Sequence, residues 1–120
     1  MKKLMILFAV SLFSLGLSAQ NAKVEGNKEA LKKNVEKGVI EFIMPENTQA
    51  AEIEKSAQYY VDYFTVQYNP TTRVAKITMV DNTPESRRVI NRLLLSNGVR
   101  TIEFDGQKYS ISDFYSNFLE

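Results

Sequence analysis

The chemistry open to this chain is narrowed first by what its 120 residues lack: there is no histidine and no cysteine. That removes the side chain best suited to proton transfer near neutral pH, the thiol nucleophiles and the usual zinc ligands. Serine, aspartate, glutamate, lysine and tyrosine remain, but none lies in a phosphate-cradling glycine loop or on a nucleophile elbow. No catalytic set and no cofactor motif is assigned. Glu46, Asn47 and Glu52 are hard oxygen ligands of the kind Ca²⁺ accepts, yet they follow no EF-hand spacing and form no dense acidic cluster. Glu46 stands just before a helix, where the positive end of the helix dipole accounts for a carboxylate. Met44 reads as a core gap-filler closing a strand.

Binding is the chemistry that remains, and two groups of residues offer it. Tyr59 and Tyr63 are four apart and lie off the buried stripe of their helix, where two aromatic rings with polar tips suit a protein interface. The other reading of Tyr63 is a ring at the helix–sheet boundary with its hydroxyl wet. Farther along, Leu95 points away from its helix's apolar stripe with Arg88 and Arg92 on the same side, an apolar residue framed by arginines. A single exposed leucine is also ordinary surface. The pair Arg87-Arg88 is too short to imply nucleic-acid binding.

These side chains are positioned by an alternation of strand-like and helix-like segments. Val39–Met44 is a β-prone run closed by Pro45, which cannot donate a ladder hydrogen bond. Thr48 then offers an N-cap, with Ala50, Ile53, Ala57, Tyr60, Val61 and Phe64 on one helical stripe. Thr65–Tyr68 and Val74–Val80 are strands joined by a hairpin insert containing Asn69-Pro70. Thr83-Pro84-Glu85 opens a second helix whose buried stripe is Val89, Ile90, Leu93 and Leu94, stopped by Asn97-Gly98. Val99–Phe104 follows as a strand.

The order is β-α-β-β-α-β, which predicts an α+β, ferredoxin-like sandwich: an antiparallel sheet with two helices on one face. Alternation along the strands predicts an open polar face bearing Glu41, Gln67, Lys76, Thr78, Thr101 and Glu103. It turns Ile40, Phe42, Val66, Tyr68, Ala75, Ile77, Ile102 and Phe104 toward the helices. With the first strand between the third and fourth, Lys76 lies near both Glu41 and Glu103. Asp105-Gly106 then predicts a hairpin into a short edge strand over Gln107–Ile111. Ser112 caps a last short helix in which Phe114, Phe118 and Leu119 close one end of the core.

Ahead of this domain, which spans residues 38–120, Gln20–Lys37 is rich in Lys, Asn and Glu and reads as a polar linker with room for a short helix from Asn27 to Gly38. Residues 1–19 have the order of an export signal: Lys2-Lys3, an apolar or small run from Leu4 to Leu17, then Ser18-Ala19 before polar residues. As a helix that run reaches only about 21 Å, against a hydrocarbon core of about 30 Å, which favours a cleaved signal over an anchor. Cleavage after Ala19 removes two lysines and no acid, taking the net charge from +1 to −1. Near-neutral charge leaves no footprint for nucleic acid or anionic lipid. The mature chain is therefore expected to be periplasmic or extracellular, off the membrane, and a monomer or weak homodimer with an envelope protein as partner.

The element order and the first loop resemble the heavy-metal-associated domain of copper chaperones and metal-transporting ATPases. That family carries Met-x-Cys-x-x-Cys between its first strand and first helix, commonly followed by an Ile-Glu-Lys-like stretch. Met44-Pro45-Glu46-Asn47-Thr48-Gln49 and Ile53-Glu54-Lys55 match the spacing without a gap, and the resemblance spans roughly Val39 to Phe104. Glu46 and Gln49 stand where the two metal-binding thiolates would be. A soft ion such as Cu(I) needs sulfur, so the resemblance implies a fold without its metal. It points to a non-catalytic binding module, or alternatively to an envelope ion-handling accessory that uses oxygen ligands.

Overall fold

The computed structural model describes residues 21–120, and the export-signal reading of residues 1–19 lies outside them. The described residues form a six-stranded mixed sheet with helices, an α+β arrangement. Its strands are β1 (Asn21–Val24), β2 (Val39–Ile43), β3 (Phe64–Asn69), β4 (Val74–Met79), β5 (Thr101–Phe104) and β6 (Gln107–Ser110). In space they run β3-β4-β2-β1-β5-β6, antiparallel except where β1 meets β5. Among the described residues no helix is long and apolar enough to cross a membrane.

The segment read as a linker supplies the sheet's interior. In β1, Ala22 and Val24 are buried while Lys23 is exposed, so four residues suffice for period-two alternation. Such a run carries too few apolar residues to stand out beside its lysines and glutamates. Helix α1 (Lys28–Lys37) follows, with the Asn27 carboxamide accepting from the Ala30 N–H at 2.9 Å. Gly38 ends it at φ 78°, where an added Cβ would press on the Met79 Cβ at 3.4 Å. Leu31 carries α1 into the core.

Strand alternation places one row of residues inward. Ile40, Phe42, Phe64, Ala75, Ile77, Ile102 and Phe104 are buried, joined by Ile53, Ile90, Leu93 and Leu94 from the helices. The opposite face is polar as alternation requires: Glu41 faces Lys76 across β2 and β4. Glu103 differs from expectation, because β1 lies between β2 and β5. Its cross-strand neighbours are Lys23 and Lys108, not Lys76.

Helix boundaries differ from the sequence reading in ways local chemistry explains. Helix α2 (Ala50–Ala57) is flanked by Gln49, not Thr48, because the Thr48 N–H is held by the Pro45 carbonyl at 3.0 Å in a preceding turn. A 3-10 turn over Gln58–Tyr60 ends the helical path early; Val61 is exposed and Phe64 begins β3. The second predicted helix divides at Val89 into α3 (Pro84–Arg88) and α4 (Ile90–Ser96), with Thr83 capping the first. Asp105 and Gly106, at φ 49° and 79°, make the tight turn into β6. Ser110, not Ser112, caps α5 (Ile111–Phe114), since its hydroxyl accepts from the Asp113 N–H at 3.1 Å. Phe104, Phe114, Phe118 and Tyr109 then meet edge-to-face or tilted, with centroids 5.0–6.2 Å apart.

Candidate interaction surface

Four of the five large exposed apolar residues, Tyr59, Val61, Tyr63 and Val80, lie in the chain just before β3 begins or just after β4 ends. Phe64 pairs with Met79, so Tyr63 and Val80 flank the same end of that ladder, and the Val80 N–H bonds the Tyr63 carbonyl at 2.9 Å. Val80 is 62% exposed and Tyr63 42%, with Val61 and Tyr59 exposed just before them. The chain turns here because α2 gives way to the 3-10 turn and a further turn through Tyr63. Tyr59 and Tyr63 consequently do not share one helical face.

Tyr59, 74% exposed, still meets an aromatic neighbour. Its ring lies edge-on to Tyr60 at 6.5 Å, and Tyr60 in turn lies 5.8 Å from the buried Phe64 ring. An aromatic series thus runs from solvent into the core. Beside it, among the described residues, β3 has no strand on its outer side. A partner strand can be added there by backbone hydrogen bonding.

The second predicted group occupies a different surface. Arg88, Arg92 and Leu95 are all exposed on α3 and α4, and Arg88 and Arg92 border one shallow hollow that Leu95 does not line. Among the described residues, no hydrogen bond, ion pair or aromatic contact links these three to Tyr59 or Tyr63. Val61 and Val80 were missed from the sequence because both read as apolar members of regular elements. Their signal was position: Val61 falls one residue beyond the 3-10 turn and Val80 one residue beyond β4.

In the loop that matches the metal-binding family, Met44 is buried and its N–H bonds the Arg73 carbonyl at 2.7 Å. Glu46 is 77% exposed and lies 3.9 Å from the Arg73 guanidinium. Gln49 is also exposed, flanking α2 without a side-chain capping bond. The Thr48 hydroxyl is buried without a hydrogen-bond partner. Among the described residues no three of Asp and Glu converge as a metal-sized group. On β3, burial pushes the Tyr68 phenol above its ordinary pKa, partly opposed by the nearby Arg73 charge.

Compared with known family models, curated proteins and solved structures, the chain matches none.

Proposed function

We propose that the protein is an exported, non-catalytic binding module on a ferredoxin-like frame, which docks to an envelope protein through its tyrosine-bearing end. The single observation carrying this reading is the patch of Tyr59, Val61, Tyr63 and Val80 beside an unpaired strand edge. Large exposed apolar side chains next to a pairable edge are a combination that proteins without partners avoid.

The frame is supported by the run β2-α2-β3-β4-α3/α4-β5, in which β4 lies between β2 and β3. In this reading β1 and α1 are an addition that inserts between β2 and β5. Kinship with the heavy-metal-associated domain rests on the loop spacing at Met44–Gln49 and is proposed as ancestry only. Glu46 already faces Arg73, so the loop carries no free carboxylate cluster in place of the thiolates.

The test has two parts. Mass spectrometry of protein recovered from its own cell envelope should show a chain beginning at Gln20; a retained N-terminus overturns cleavage, and recovery only from the cytoplasm overturns export. Affinity capture from that envelope, followed by reconstitution with the purified partner, should give a complex that Tyr59→Ala/Tyr63→Ala weakens by about tenfold or more. A complex unchanged by that variant but lost with Arg92→Ala/Leu95→Ala moves the interface to α4.

A further inference from the structure

Among the described residues one arginine is buried without a countercharge. Arg87 is only 8% exposed, and its hydrogen bonds go to neutral acceptors: Nε donates to the Leu119 carbonyl at 2.5 Å and Nη1 to Asn82 Oδ1 at 2.7 Å. Among the described residues no carboxylate lies within ion-pair distance of it. Asn82 passes the connection on, since its Nδ2 donates to the Val35 and Glu36 carbonyls at the end of α1. The carbonyl ends of a helix favour a nearby cation, which explains in part why the charge is tolerated there. A buried guanidinium is still costly when nothing anionic accompanies it.

This arginine borders a groove of about 480 Å³ between α1 and the C-terminal turn. The volume falls in the range of small-ligand sites, about 300–1,000 Å³. Leu31, Val35 and Phe118 give the groove apolar walls, while Lys28 and Lys32 stand exposed along α1 at its rim. Glu36 and Glu120 also border it, so its lining side chains comprise three cations and two anions. Nη2 of Arg87 makes no hydrogen bond among the described residues, yet it is not among the polar atoms sealed from solvent. Arg87 thus borders the groove with guanidinium donor capacity left over from its two hydrogen bonds.

We propose that this groove binds a small amphiphilic monocarboxylate, with its head on Arg87 and its aliphatic tail along Leu31, Val35 and Phe118. A guanidinium is matched in shape and charge to a carboxylate. The two glutamates disfavour a dianion such as a phosphate monoester, and the apolar walls reward a hydrocarbon tail that a simple inorganic ion lacks. This site is separate from the tyrosine-bearing end and stands independently of the function proposed above.

The experiment is a titration of the isotope-labelled protein with octanoate, followed by amide NMR, with 1-octanol and acetate as controls. Octanoate should bind saturably and shift the signals of Leu31, Val35, Asn117 and Phe118. Octanol, which lacks the charge, and acetate, which lacks the tail, should each bind about tenfold more weakly. Arg87→Met should abolish the preference for octanoate over octanol. Because that variant can also loosen the C-terminal turn, Lys28→Glu/Lys32→Glu provides a surface alternative, expected to fold normally and bind several-fold more weakly. Octanol binding as well as octanoate, shifts confined to other surfaces, absence of saturable binding, or a Lys28→Glu/Lys32→Glu variant binding like wild type would each overturn the proposal.

Discussion

The two edge strands of the sheet are finished in opposite ways. At one side β6 is only four residues long, carries Lys108 opposite Glu103, and leads directly into α5 through the Ser110 cap. Tyr109 fixes it further by meeting Phe114 and Phe118 edge-on, at 6.2 and 5.2 Å. At the other side β3 runs six residues from Phe64 to Asn69 without a charged side chain, and an apolar patch flanks its start. Short length, charge and cover are the means by which proteins protect sheet edges from pairing. The β6 edge is short and charged while the β3 edge is neither, so β3 is the less protected of the two.

The strongest way to break that contrast is to remove the anchor of the closed edge. Phe114 is fully buried at the centre of the aromatic cluster, and Phe114→Ala should destabilise the fold by about 3–5 kcal/mol in urea denaturation. A loss under about 1 kcal/mol would mean that β6 is not secured by this cluster.

A smaller effect should come from the open edge through pH. The Tyr68 phenol is raised in the folded state, so the unfolded chain ionises first as alkali is added. Stability is therefore retained below about pH 10 and declines as pH rises through the raised value. Denaturation midpoints measured from pH 8 to 11 should fall less steeply for Tyr68→Phe than for wild type. Equal slopes would show that Tyr68 does not couple to folding.

The smallest effect on stability, and the sharpest on association, is expected from Thr65→Lys/Gln67→Lys. Both residues are exposed on β3, so stability should change by no more than about 0.5 kcal/mol. Two copies paired along β3 would then oppose lysine to lysine, and like charges across a ladder repel. Any weak dimer that sedimentation detects for wild type should disappear in the variant. A tight oligomer that survives it would place self-association on another face.

Much of this architecture could be read from the sequence where elements were long or punctuated. Pro45, Thr83-Pro84, Asn97-Gly98 and Asp105-Gly106 fell at element ends because their backbone chemistry permits little else. The inward rows of β2, β4 and β5 followed from alternation. What escaped was short or dependent on distant neighbours. β1 has two inward residues, below any useful periodic signal, and its place beside β5 is decided by residues eighty positions later. The pair Arg87-Arg88 was weighed only as a nucleic-acid contact, although Arg87 lies three before Ile90 and seven before Leu94 on the buried stripe. Its spacing on that stripe is the signal of its burial. The exposed patch was half legible: the tyrosines stood out by type, while Val61 and Val80 needed the chain path.

The position of β1 also sets an order of events in folding. It pairs with β2 at one register, Lys23 with Ile43, but with β5 along its whole length, and the Thr101 hydroxyl bonds the Asn21 side chain. A chain released N-terminus first carries β1 from the outset, yet must wait for β5 before the strand has a full partner. Pairings this distant in sequence slow folding because loop closure precedes the contacts that stabilise it. The first strand made is thus among the last secured, and a chain ending before Thr101 would hold the β2-β3-β4 ladder while leaving β1 and α1 loosely attached.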